Sequence, residues 1–126
     1  MSQITTHVLD TSLGRPAVGV PIHLYQQIES EQGDGQQADL EGKKWEKLGC
    51  GITNSDGRIA KLLNRDTPLP AGVYRMHFDI KRYFASAQQK AFYPYVDVVF
   101  ELGDGGEHYH IPLLLSPYGY STYRGS

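Results

Sequence analysis

Cysteine is nearly absent: Cys50 stands alone, so no intramolecular disulfide can form and a disulfide-stapled secreted scaffold is excluded. A reducing compartment is the simpler expectation. Charge of either sign is not in excess, because 12 basic against 14 acidic residues leave a formal net charge of −2. Such a chain has no global field to gather nucleic acid or an anionic membrane surface, and neither is expected as a partner. Long hydrophobic runs are missing too, and nothing approaches the roughly 20 apolar residues that a bilayer-crossing helix needs. The opening MSQITTHVLDTSLG lacks the basic start, apolar stretch and small-residue cleavage site of a signal peptide, and the closing YRGS is not a peroxisomal address of the Ser-Lys-Leu type. A cytoplasmic location is the expectation that follows.

What is present suits a core. Hydrophobic residues make up 40% of the 126 positions, enough for one compact domain over residues 1–126 without covalent support. Their spacing is close to two, the period of a strand with one face buried. Val18, Val20, Ile22 and Leu24 alternate with Gly19, Pro21, His23 and Tyr25, and Tyr74, Met76, Phe78 and Ile80 alternate with Val73, Arg75, His77 and Asp79. Val96, Val98, Phe100 and Leu102 form a third set, and Tyr109, Ile111, Leu113 and Leu115 a fourth.

Turn chemistry separates these runs at Asn54-Ser55-Asp56-Gly57, at Leu69-Pro70-Ala71-Gly72 and at Gly103-Asp104-Gly105-Gly106, and the last is expected to close a hairpin. Helical character is confined to about Ile80 to Gln89, where no Gly or Pro interrupts. The expected fold is therefore all-β, an antiparallel sandwich of two sheets with one short helix. The stretch Glu29 to Lys44 is polar, Gln- and Gly-rich and poor in core formers, and is expected to be a mobile surface loop.

Three features carry possible chemistry: His7 in the first strand-like segment, Arg58 after the Asp56-Gly57 turn, and the ending HYHIPLLLSPYGYSTYRGS, in which Tyr118, Tyr120, Tyr123 and Arg124 sit among small residues. His108 and His110 are two apart on a strand, so their rings share a face while Tyr109 and Ile111 point to the core. Two readings of that pair stand: a zinc site completed by His7, or histidines that are exposed or hydrogen-bonded. No Asp or Glu at ligand spacing supports the metal. His23 and His77 lie on polar strand faces and read as surface residues, and Arg58 alone reads as an ordinary solvated arginine.

Taken together, THVLDTSLGRPAVGVPIHLY, TNSDGRI, LPAGVYRMHFD, YFASAQQKAFYPYVDVVFEL and HYHIPLLLSPYGYSTYRGS resemble the transthyretin-like 5-hydroxyisourate hydrolase family over nearly the whole chain. The terminal Tyr-Arg-Gly-Ser is the most specific element, since it separates the hydrolases from the hormone-carrying transthyretins of the same fold. The resemblance implies a transthyretin-like sandwich and hydrolysis of 5-hydroxyisourate to 2-oxo-4-hydroxy-4-carboxy-5-ureidoimidazoline in urate degradation. It implies catalytic roles for His7, His110 and Ser126, and substrate binding by His7, Arg58 and Tyr123. It also implies a homotetramer built as a dimer of dimers, with the sites in a shared channel.

The same residues suit an attack by water activated by histidine, with Arg58 polarising substrate carbonyls and no metal or organic cofactor required. Ser126 lacks the strained turn and adjacent base of a serine nucleophile, so a covalent route is not expected. Two rivals remain, a ligand carrier on the same fold and a purely structural sandwich module.

Overall fold

Eight short strands build two four-stranded sheets in the computed structural model, which describes residues 3–28, 44–63 and 68–125. In chain order the strands are β1 (Ile4–Asp10), β2 (Arg15–Pro16), β3 (Pro21–Ile28), β4 (Lys44–Ile52), β5 (Gly72–Phe78), β6 (Val96–Leu102), β7 (Tyr109–Ser116) and β8 (Gly119–Thr122), with one helix, α1 (Ile80–Ser86), between β5 and β6. The first sheet runs β2-β1-β7-β8 and the second β4-β3-β5-β6. Pairing is antiparallel except between β1 and β7, which run parallel with Thr5 opposite His110 and His7 opposite Pro112. Val8, Ile22, Leu24, Tyr74, Met76, Phe78, Leu113 and Leu115 have no exposed surface, and they form the core between the sheets.

Sequence and structure differ at four points. Val18 is 54% exposed and precedes the strand, because Gly19 sits at φ +85° in the approach to β3. Helix α1 stops at Ser86 rather than near Gln89, since Gln88 takes a left-handed φ of +58° and the Ala87, Gln88 and Gln89 amides fold back on carbonyls of Tyr83, Phe84 and Ala85. The Gly103 to Gly106 turn is not a hairpin: β6 pairs with β5 in the second sheet and β7 with β1 and β8 in the first, so the turn carries the chain between sheets. Turn residues report a reversal of the chain and are silent about which strand lies alongside. Of the segment expected as a polar loop, 29–43 lie outside the described residues, whereas Lys44 opens β4 opposite Ile28.

One buried carboxylate organises the end of β1. Asp10 is fully buried and accepts hydrogen bonds from the Ser12 amide (3.0 Å), the Ser12 hydroxyl (2.5 Å), the Leu13 amide (3.1 Å) and the Tyr83 hydroxyl on α1 (2.6 Å). Burial pushes its carboxyl upward, but these four donors outweigh burial and hold it below the ordinary carboxylate value. A depressed folded value means the contribution to stability is complete above the unfolded value near pH 4 and is lost as pH falls through the folded one. Asp10→Ala would leave Tyr83 and two amides without their acceptor, and is expected to cost about 3 kcal/mol at pH 7. Urea unfolding at pH 7 and at pH 3 checks this: the difference between the two proteins should shrink at the lower pH.

Candidate functional site

On β1 the residues Ile4, Thr6, Val8 and Asp10 are buried, which turns Thr5, His7 and Leu9 to the outward face of the first sheet. The neighbouring strand β7 alternates likewise, with Tyr109, Ile111 and Leu113 buried and His110 half-buried on the outside. The edge of β1 away from β7 receives the turn at residues 54–58. Asn54 Oδ1 accepts the Asp56 amide at 2.9 Å and the Arg58 amide at 3.2 Å, and the Gly57 carbonyl accepts the Val8 amide at 2.8 Å. Gly57 is at φ +75°, and a Cβ there would lie 2.4 Å from the Val8 carbonyl oxygen. Only glycine allows that approach, and its result is an isolated bridge that sets Arg58 opposite His7.

The chain end closes the other side. The β7–β8 register, Leu113 opposite Thr122, continues past β8 to a second isolated bridge between His110 and Gly125, with the Gly125 amide donating to the His110 carbonyl at 2.8 Å. A Cβ on Gly125 would stand 2.7 Å from His110 Cδ2 and 3.3 Å from its Cβ, so glycine is again needed for contact. Arg124 turns to the opposite side, stacks 4.5 Å from the Tyr109 ring centre and approaches Glu107 at 3.6 Å, while the Tyr109 hydroxyl donates to Glu107 at 2.8 Å. Both charged partners are largely exposed, so the ion pair itself adds under about 1 kcal/mol and the ring stack and backbone bridge hold the tail.

The structure therefore brings His7, Arg58 and His110 to one face, in the order Arg58, His7, His110, tail. Tyr123, two residues before Gly125, is 60% exposed on the tail segment following β8, and Ser126 lies outside the described residues. Burial lowers the His7 imidazole below the ordinary histidine value, Arg58 lowers it further, and a hydrogen bond to the backbone of Asp56 opposes both. Burial also lowers His110, with Arg58, His108 and His7 adding to it. Both rings are thus neutral at neutral pH, each with one nitrogen able to accept a proton and with the Arg58 cation near by.

The histidine pair at 108 and 110 is hydrogen-bonded: the Thr5 hydroxyl sits 2.9 Å from His108 Nε2 and 2.9 Å from His110 Nδ1. Among the described residues no three His, Cys, Asp or Glu side chains converge as a metal site. His23 and His77 are not isolated surface histidines, since they lie opposite one another on β3 and β5, and His77 Nδ1 contacts Asp97 at 2.7 Å. They belong to the second sheet, as does Cys50 opposite His23, so they are apart from the site. Sequence reading missed Thr5 and Gly125, whose parts depend on strand pairing that no local pattern announces. A cleft of about 380 Å³ between β2 and α1, lined by Leu13, Arg15, Pro16, Tyr83 and Ser86 among others, includes none of the site residues.

Comparison with known proteins shows the family and the fold. Residues 4–125 match the model of the HIUase/Transthyretin family. The chain is 41% identical to the mouse 5-hydroxyisourate hydrolase over 125 residues, covering 99% of this chain and 96% of the mouse protein. Among solved structures it is similar to 5-hydroxyisourate hydrolase of Klebsiella pneumoniae, at 35% identity and a TM-score of 0.73 over 98% of this chain and 92% of that one. It is also similar to sea bream transthyretin in complex with thyroxine, at 30% identity and a TM-score of 0.80 over 98% and 95%.

Proposed function

As the chain belongs to the HIUase/Transthyretin family, we propose that it is a hydrolase acting on 5-hydroxyisourate, cleaving an amide-like bond of the six-membered ring to give 2-oxo-4-hydroxy-4-carboxy-5-ureidoimidazoline in urate degradation. The observation that carries this reading is the meeting of two neutral imidazoles, His7 and His110, with Arg58 and the tail on one open face. A carrier needs only a complementary surface; proton acceptors beside a cation suit a reaction in which water loses a proton while an oxyanion grows.

In this mechanism His7 takes the proton of the attacking water, and the water oxygen bonds to the ring carbonyl carbon. Arg58 donates to the carbonyl oxygen as its negative charge develops. The carbon–nitrogen bond then breaks, and His110 supplies a proton to the leaving nitrogen. Tyr123 and Ser126 hydrogen-bond the heterocycle. The face is open in one protomer, so a homotetramer built as a dimer of dimers would cover it and exclude water; a cytoplasmic location completes the proposal. No helix among the described residues is long and apolar enough to cross a membrane.

The test is a spectroscopic assay in which urate oxidase generates 5-hydroxyisourate and the protein is added. Accelerated decay is expected; saturable binding without turnover would favour a carrier, the reading that similarity to the thyroxine complex supports. Removing 123–126 should abolish turnover and leave the melting temperature within a few degrees, because Tyr123 and Arg124 are exposed and contribute little to the core. Because both histidines are depressed below 6.5, kcat/KM should be flat above neutral pH and fall through a midpoint below 6.5. An acid limb centred above 6.5 would assign the essential base elsewhere.

A further inference from the structure

We infer that Thr5 and His108 are positioning residues that form a proton relay with His110, fixing which of its nitrogens carries the proton and resupplying it from solvent. The inference deepens the reading above and rests on it for the reaction served.

Parallel pairing places Thr5 directly opposite His110, and the Thr5 hydroxyl lies 2.9 Å from both His110 Nδ1 and His108 Nε2. A hydroxyl donates one hydrogen bond and accepts others, so it couples two imidazoles in a definite sense. When Thr5 donates to His110 Nδ1, the neutral ring must carry its proton on Nε2, the nitrogen left for substrate. The Thr5 oxygen then accepts from His108 Nε2–H. His108 is exposed, whereas His110 is half-buried, so the outer ring exchanges protons with water and the inner one does not do so freely. Arg58, His7 and His108 are the charged or titratable groups that bear on His110. None is a carboxylate, and among the described residues the Thr5 hydroxyl is the side-chain hydrogen-bond partner of the His110 ring.

The relay balances without a further reactant. His110 Nε2–H passes its proton to the leaving nitrogen as the carbon–nitrogen bond breaks. The Thr5 O–H proton moves to His110 Nδ1, the proton on His108 Nε2 moves to the Thr5 oxygen, and the exposed His108 takes a proton from solvent on Nδ1. Before the next turnover His110 Nε2 takes a proton from water entering the site and the chain runs back, Nδ1–H to the Thr5 oxygen, Thr5 O–H to His108 Nε2 and His108 Nδ1–H to solvent, which restores the starting tautomer. The proton taken from water at the start leaves through His7. This pairing gives His7 and His110 opposite duties although both are neutral at rest.

Thr5→Val keeps the shape and removes the hydroxyl, Thr5→Ser restores it, and His108→Gln acts at an exposed position that cannot disturb the core. For Thr5→Val and His108→Gln, kcat is expected to fall roughly tenfold with KM little changed. Thr5→Ser should stay within about twofold of the parent. High concentrations of imidazole buffer should restore much of the kcat lost in His108→Gln. Nitrogen-15 NMR of the resting protein should show His110 protonated at Nε2, with the two tautomers mixing in Thr5→Val. Unchanged kcat in both Thr5→Val and His108→Gln, or a neutral His110 protonated at Nδ1 in the parent, would overturn the relay. If the parent protein fails to hydrolyse 5-hydroxyisourate, the hydrolase reading falls, and the His110 tautomer still decides the coupling to Thr5.

Discussion

Replacing His7 by alanine is expected to lower kcat/KM for 5-hydroxyisourate about a thousandfold, since a positioned general base contributes on the order of 10²–10⁴. The loss should fall on kcat, because the imidazole's main task arises when the water proton is in flight, while Arg58 retains the substrate. Arg58→Gln is the complementary case, in which KM rises as well. His7 is half-buried on an outward strand face, so His7→Ala should unfold within about 1 kcal/mol of the parent. Stopped-flow decay of enzymatically produced 5-hydroxyisourate, with denaturation curves alongside, separates these effects. A His7→Ala protein with more than a tenth of parental kcat would remove His7 from the role of base.

Gly57→Ala should combine the largest stability loss with damage to the site. At φ +75° an L side chain is strained by about 1–2 kcal/mol, and the added Cβ would meet the Val8 carbonyl oxygen at 2.4 Å and the Pro16 Cβ at 3.0 Å. Both neighbours belong to paired backbone and cannot swing aside, so a loss of about 3 kcal/mol or more is expected. Gly19→Ala supplies the control: its φ is +85° with nothing within 4 Å of the place a methyl would take, so it should show only the strain of about 1–2 kcal/mol. Urea titrations of the two variants give the difference attributable to collision. If Gly57→Ala proves no worse than Gly19→Ala, the turn has room to retreat, and Arg58 is held less tightly against β1 than the bridge at His7 suggests.

The fold is legible in the sequence where a local pattern decides it. Alternation in 74–78 and, apart from the buried Pro112, in 109–115 identifies buried faces because a strand with one face outward hides the other. The Asn54 to Gly57 turn is likewise written in its own residues, since the Asn54 side chain caps it and Gly57 needs a left-handed backbone. Pairing is not legible. Nothing local distinguishes a reversal within a sheet from a passage between sheets, and for that reason the glycines at 103–106 read as a hairpin that the structure does not form. His7, Arg58 and His110 are identifiable through resemblance to a family, and taken singly each looks ordinary. Their proximity comes from partners just over fifty and more than a hundred residues apart. Thr5 escapes notice because its neighbours at 108 and 110 arrive only when β7 lies beside β1.

The parallel seam between β1 and β7 also governs how the molecule reaches this state. Strands at Ile4–Asp10 and Tyr109–Ser116 must find each other across the intervening chain before their contacts repay the loss of freedom. Folding should accordingly be slow, on the millisecond-to-second scale of domains dominated by distant pairings, and the second sheet, whose strands β3 to β6 are contiguous in sequence, is free to form ahead of it. During that interval the catalytic groups are scattered, and activity should return in refolding only with the last phase, the zipping of the chain's two ends into one sheet.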